Sequence, residues 1–266
     1  MRNPLNLRLG MALARYLARP RSTRPRPGVL PSAAELARAL IPGDVLLVDG
    51  DSKFSIAIKY LTRSIWSHSA LYVGPVGGVD TGGSDAKMLV EADAVAGVIL
   101  VPLTKYAGYR TRICRARALS AEDRMQLIDY ACSRLGDTYD LRNVVDLARY
   151  LIATPPVPAR RRRRMLALGS GDPTRAICST LIAQAFQAVG YPILPDVDTI
   201  PNGECDDCVD EILHIRHHSL YAPRDFDLSP FFDVVKPVLA RHANYRAIHG
   251  RPPPAAPVGV IAVGRS

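Results

Sequence analysis

Between residues 43 and 116 the chain is mostly a series of short apolar runs, each closed by a turn. "PGDVLLVDG" carries the first, Val45 to Val48. "WSHSALYVG", "KMLVEAD", "GVILVPL" and "YRTRICRA" follow. Short runs rich in Val, Ile, Leu and Tyr, bounded by Gly, Pro and Asp, read as strands. One segment breaks the series: "KFSIAIKYLTRS" sets Phe54, Ile58 and Leu61 at helical spacing. From Ser120 the pattern turns helical. "SAEDRMQLIDYACSRLG" opens on a Ser cap with an acidic first turn and stops at Gly136. "DLRNVVDLARYLI" reads as a second helix, ended by "TPPVP". "TRAICSTLIAQAFQAVG" reads as an apolar helix closed by Gly190, with Pro192 just after. Ahead of the first strand, "SAAELARAL" has Ser32 as N-cap and Glu35 three residues on, a capping box. Strands early and helices late predict an α+β domain around a mainly antiparallel sheet. Beyond Pro195 the sequence reads as irregular.

The 266 residues, 48% hydrophobic and 22% charged, suffice for one large domain or two small ones. The reading divides them into a basic amphipathic segment and linker (1–31), a catalytic domain (32–250) and a disordered tail (251–266). In the first part Leu9, Leu13 and Leu17 share a helical face, and "PRSTRPRPGVLP" is the linker. Lys and Arg outnumber Asp and Glu by 34 to 25, and Arg160 to Arg164 form an unbroken run. Such a balance favours anionic partners without choosing among nucleic acid, acidic lipid and acidic protein. An odd count of five cysteines argues against a disulfide framework and for a reducing compartment. No stretch of about eighteen apolar residues exists to span a membrane. The expected location is the cytoplasm, with peripheral contact at a membrane surface as an option.

The chemistry begins at "SHSALYVG". Alternation puts His68, Ala70 and Tyr72 on one face and Ser69, Leu71 and Val73 on the other. In "KMLVEAD", Glu91 is a carboxylate within an otherwise apolar strand. Burial would oblige it to find a cation or donor. His68 on a neighbouring strand would serve, and a carboxylate holding an imidazole is the orienting half of a catalytic triad. A strand end in water, or one of the many arginines, would satisfy Glu91 equally. Cys178 sits early in its apolar helix. If that helix starts at Pro173, the thiol lies more than a turn inside; if near Ala176, it lies in the first turn, where the dipole and a histidine lower its pKa.

In this order, "PGDVLLVDG", "WSHSALYVG", "LVEAD" and "AICSTLIAQAF" resemble the permuted branch of the NlpC-type papain-like cysteine hydrolases, the YiiX-like group. The resemblance covers roughly residues 42 to 195. It implies a circularly permuted papain-like fold, with a mainly antiparallel sheet packed with helices. It implies Cys178 as nucleophile, His68 as general base and Glu91 as orienter, with Tyr139 in "LGDTYDLRN" lining the substrate site. A thiol-dependent hydrolase of an amide or ester follows, with no cofactor and no metal in the reaction. The substrate would be an acyl compound: peptide, amino-acid conjugate or lipid. A lipid acyltransferase of the lecithin retinol acyltransferase-like type is the alternative, differing only in the acceptor.

Three other signals are weaker. Asp80 to Gly83 has the Asp-Thr-Gly of aspartic proteases, but in one copy among glycines, and reads as a turn. Cys205 and Cys208 have metal-ligand spacing, with His214, His217 and His218 following. As a zinc site this is half a pattern, and it assumes a helix that brings His214 and His218 to one face. The arginine run suits a non-catalytic module for nucleic acid or an anionic surface. No interleaved aromatics or reading motif accompany it, so nucleic acid is the poorer partner and an anionic membrane surface the better one.

Overall fold

The computed structural model of this chain describes Tyr16, Arg19 and residues 30–75, 86–93, 95–138, 177–201 and 209–236. The readings for Leu9 to Leu17, Asp80 to Gly83, Tyr139, "DLRNVVDLARYLI", Arg160 to Arg164, Cys205, Cys208 and residues 251–266 fall outside them.

The fold is α+β, built on one sheet whose strands pair antiparallel throughout. Its strands are β1 (Val45–Val48), β2 (His68–Pro75), β3 (Lys87–Asp93), β4 (Gly97–Pro102), β5 (Thr111–Ala116) and β8 (Phe232–Val235). They run in the order β4-β3-β2-β1-β5-β8. β1 therefore lies between β2 and β5 and is buried at all four positions. Its continuous apolar sequence follows from that place, since both of its faces are covered. The connection from β3 to β4 is a short hairpin, while the other neighbours in the sheet are joined through longer segments. Gly97 and Gly136 lie where the start of β4 meets the chain after Ser133. Gly97 adopts φ of +80°, and a Cβ there would come 2.2 Å from the Asp137 carbonyl. That carbonyl accepts from the Val98 N–H at 2.9 Å, while Gly136 donates to the Val98 carbonyl at 3.0 Å.

Each face of the sheet carries its own core. One holds Val45, Leu47, Leu71, Val90 and Cys114 under α3 (Ala121–Ser133), α4 (Ile177–Ala188) and α5 (Pro223–Leu228). The other holds Leu46, Val48, Ala70, Tyr72, Leu89 and Ile113. It is covered by α1 (Ala33–Ala39) and by the 3-10 turn Leu103–Tyr106 after β4. Burying each such aliphatic side chain is worth about 1.5–3 kcal/mol. The helix α2 (Lys53–Thr62) follows β1. Local sequence sets the helix ends. Ser32 and Glu35 close the expected capping box on α1. Ser52 caps α2 and Ser120 caps α3, each accepting from the N–H three residues on.

Downstream of Pro195 the expectation of irregular chain is corrected. β6 (Asp196–Pro201) and β7 (Val209–His214) form a two-stranded sheet, and α5 and β8 follow. β8 has only four residues, "FDVV", of which Asp233 and Val234 are exposed. Such a stretch has no strand signature until an edge is offered to it, here by β5. Phe232 and Phe226 pack on Phe186 of α4, with ring centroids 5.2 and 6.3 Å away, and so fasten this segment to the core. Among the described residues no helix is long and apolar enough to cross a membrane.

Candidate active site

The site forms where two strands part company. β2 pairs with β1 from His68 onward, as Val48↔His68, Leu47↔Ser69 and Leu46↔Ala70. Its register with β3 begins only at Leu71↔Val90. Residues 68–70 are therefore held on one side alone, and β3 has drawn away at Glu91. The Tyr72 N–H donates to Asp44 at 2.9 Å, so the even-numbered amides of β2 face β1. The Ser69 amide then points to the opened side.

His68 and Glu91 share the face of Ala70, Tyr72 and Leu89, as alternation requires. The His68 Nε2 lies 3.1 Å from the Glu91 Oε2. Glu91 is only 1% exposed, so the expectation of a buried carboxylate needing partners holds, and the partners are more than one. The Lys105 ammonium donates to Oε1, and the Tyr106 hydroxyl donates to Oε2, the oxygen that also faces His68. No arginine is among them. Asp93 instead accepts from the Val95 and Ala96 amides at 2.7 and 2.8 Å, closing the turn into β4.

Cys178 arrives from the opposite face, in the first turn of the described helix α4, and is buried. The His68 ring and the Ser69 amide and hydroxyl are the groups that act on its charge, and its sulfur lies 4.0 Å from the Ser179 hydroxyl. Ser179, next along the helix, sits 3.4 Å from the Ser69 hydroxyl and ties the helix start to β2. The apolar remainder, Leu181, Ile182, Ala185 and Phe186, is fully buried and anchors the helix.

The electrostatics are those of a coupled chain. Burial opposes a thiolate at Cys178, but the His68 charge and hydrogen bond, then the Ser69 donors, lower its pKa below the ordinary thiol value. Burial likewise opposes an imidazolium. The Cys178 thiolate and then Glu91 outweigh it and push the His68 pKa up to about 10. Burial would raise Glu91, yet His68 and then Lys105 bring it down to about 2. Both halves of the Cys–His pair move toward ionisation, each favouring the charged form of the other. The other described thiols move the opposite way. Burial pushes Cys114 up to about 12, and burial with Asp129 raises Cys132.

All three residues of the expected triad thus come together from three separate elements. Tyr139, the fourth expected site residue, lies outside the described residues. Lys105, Tyr106 and Ser69 carried no signal of their own in the sequence. The clue available was indirect: a buried carboxylate needs a cation, and the turn after β4, the hairpin partner of β3, supplies one. The zinc reading loses its helical premise, because His214 ends strand β7 while His218 begins a 3-10 turn. His214 pairs with Asp198 at 3.2 Å, and His217 stacks on His218 with centroids 4.0 Å apart. Among the described residues no group of three or more His, Cys, Asp and Glu is arranged to hold a metal ion.

Residues 39–150 match the family of permuted papain-like amidase enzymes, YaeF/YiiX, C92. The matched stretch contains His68, Glu91, Lys105 and Tyr106; Cys178 lies beyond it. Amidases are hydrolases, so the match supports hydrolase-type chemistry. Among solved structures, the chain is similar to the metalloprotein yiiX from Escherichia coli O157:H7. The two share 16% identity over 74% of this chain and 97% of that one, with a TM-score of 0.44. No curated protein matches.

Proposed function

We propose that the protein is a thiol-dependent hydrolase of an amide or ester bond, with Cys178 as nucleophile, His68 as general base and acid, and Glu91 as the group that orients and charges His68. The observation that carries this reading is the meeting of thiol, imidazole and buried carboxylate at the parting of β2 and β3. Of the three described cysteines, only this thiol has its pKa lowered.

In the first step the Cys178 thiolate attacks the carbonyl carbon and the carbonyl π pair moves to oxygen. Amides at the start of α4 face the developing oxyanion. His68, as imidazolium, gives its proton to the departing nitrogen or oxygen, and a thioester to Cys178 remains. Water then attacks the thioester, His68 accepts its proton, and the sulfur leaves as thiolate. Glu91 remains ionised throughout and holds the ring so that its other nitrogen faces the sulfur.

The acceptor in the second step decides between hydrolysis and acyl transfer, and the acyl group decides whether the substrate is peptide, amino-acid conjugate or lipid. The catalytic unit is taken as residues 32–250, and its place as the cytoplasm or the surface of an anionic membrane. The test is incubation of wild type and Cys178→Ala with a mixed panel of peptides and lipids, read by mass spectrometry. An acyl adduct on Cys178 that turns over in water supports hydrolysis. Turnover only with an alcohol or amine acceptor supports transfer. Equal product from Cys178→Ala would sink the reading.

A further inference from the structure

Glu91 has three donors around one buried carboxylate, and they are not equivalent. Lys105 holds Oε1 from a side chain that is 41% exposed. Glu91 itself is buried, but with the ammonium removed water can enter where that exposed side chain lies and replace part of what it does. Tyr106 holds Oε2 from a side chain that is only 5% exposed. Water has no such access there, and Oε2 is also the oxygen facing His68 Nε2 at 3.1 Å. The Tyr106 ring is itself braced. It lies 6.0 Å from the His68 ring, tilted by 37°, and stands edge-on to Tyr109 at 6.0 Å. One residue therefore walls the imidazole and fixes the oxygen the imidazole uses.

Resting on the proposed triad, we propose that Tyr106 is a positioning residue of this site, acting through Glu91 to hold His68 in the orientation that serves Cys178. The hydroxyl suits this role because it stays a donor. Burial and then the Glu91 charge raise its pKa well above the ordinary phenol value, so it keeps its proton wherever Glu91 is ionised. The charged and titratable groups around it are Glu91 and Asp93 on β3, His68 on β2, Cys178 on α4, and Lys105 on its own turn. Without the hydroxyl, Oε2 has His68 as its one remaining described donor, and the carboxylate is free to turn about the Lys105 contact. The His68 ring follows it, and the thiolate loses part of its countercharge.

Tyr106→Phe tests this with little disturbance, since it keeps the ring and removes one oxygen. The rate of Cys178 alkylation by iodoacetamide is measured from pH 5 to pH 10 in wild type, Tyr106→Phe, Lys105→Met and His68→Ala, with thermal melts in parallel. Tyr106→Phe should raise the apparent thiol pKa by about one unit, which slows alkylation below that pKa about tenfold. Lys105→Met should move it by less, because water takes up Oε1. A role in folding alone would lower the melting temperature and leave the pH profile where it was; that result overturns the proposal. So does a larger shift in Lys105→Met than in Tyr106→Phe. If His68→Ala also leaves the profile unchanged, the triad itself fails. If His68→Ala shifts it and Tyr106→Phe does not, only the role of Tyr106 fails. Should Tyr106→Phe melt below the assay temperature, the wild type supplies a second check. Its Tyr106 hydroxyl proton, held on a buried carboxylate, should give a slowly exchanging downfield NMR signal that moves when Cys178 is alkylated. A signal indifferent to alkylation refutes the coupling.

Discussion

Replacing Glu91 by Gln removes the charge on which the site turns while keeping the shape of the side chain, and its effect on stability depends on pH in a calculable way. The carboxyl is brought from 4.5 in an ordinary setting to about 2 in the folded protein. A shift of roughly 2.5 units at about 1.4 kcal/mol per unit corresponds to about 3 kcal/mol. The half-exposed Lys105 is partly screened, so about 2 kcal/mol is the safer figure. Because the folded pKa is depressed, this stabilisation is fully present above about pH 4.5 and is lost as the pH falls toward 2. Gln has no such titration. It also turns an amide N–H₂ toward one of three donors, adding a mismatch that does not vary with the state of residue 91 itself. Urea unfolding followed by circular dichroism at pH 7, 5, 4 and 3 separates the two parts. Wild type should exceed the variant at pH 7, and the gap should narrow by about 1–2 kcal/mol between pH 5 and pH 3. Other carboxylates titrate in both proteins and cancel in the difference. A gap that stays constant across this range would mean that Glu91 does not carry a stabilised charge, and the description of the site as a coupled ionic chain would be wrong.

Other outcomes follow from the same structure. Limiting iodoacetamide at neutral pH should label Cys178 ahead of Cys114 and Cys132, and His68→Ala should slow that labelling at least about tenfold by removing the countercharge; first labelling of Cys205 or Cys208, unaffected by His68→Ala, would count against the triad. Phe186→Ala should cost about 3–5 kcal/mol in denaturant melts, since its fully buried ring meets Tyr191, Phe226 and Phe232, and a loss under 1 kcal/mol would mean the segment after Pro195 is not fastened there. Changing three of Arg160 to Arg164 to serine should weaken binding to anionic vesicles and leave Cys178 alkylation unchanged, because a basic connection to the α4 helix would act on docking and not on the thiol.

The parts of this fold that follow local rules were legible in the sequence. Val45 to Val48 announces a strand buried on both faces, and Ser32 with Glu35 announces a helix start. Alternation sets His68 with Ala70 and Tyr72, but only the register of β2 with β3 brings Glu91 to the same face. What could not be read is whatever depends on a partner distant in the chain. "FDVV" becomes a strand only because β5 offers an edge. Lys105 and Tyr106 sit in "LTKYAGY", which resembles any polar turn until β3 and β4 pair as Glu91↔Ile99 and fold that turn under the carboxylate. The start of the Cys178 helix was ambiguous for a different reason: Pro173 and Ala176 are both acceptable openings, and local sequence does not rank them.

Burial alone would make a 4% exposed thiol as poor a nucleophile as Cys114, which is 0% exposed and whose pKa burial pushes up to about 12. The difference between them lies in which backbone groups each one meets. Cys114 sits inside a fully paired strand, facing the apolar core, where nothing can accept the cost of a thiolate. Cys178 enters at the point where the β2–β3 ladder has opened, so an amide that would otherwise serve the sheet, that of Ser69, is available to the sulfur. The same opening brings His68, which shares the opposite face with Glu91, to the start of a helix packed on the other side. Burial there excludes water without leaving the charge unpaired, and in a low-dielectric setting each of those contacts counts for more than it would at the surface. The arrangement asks for a parted pair of strands and a helix start aimed at the gap. It places no condition on whether the cysteine helix comes before or after the strands in the chain.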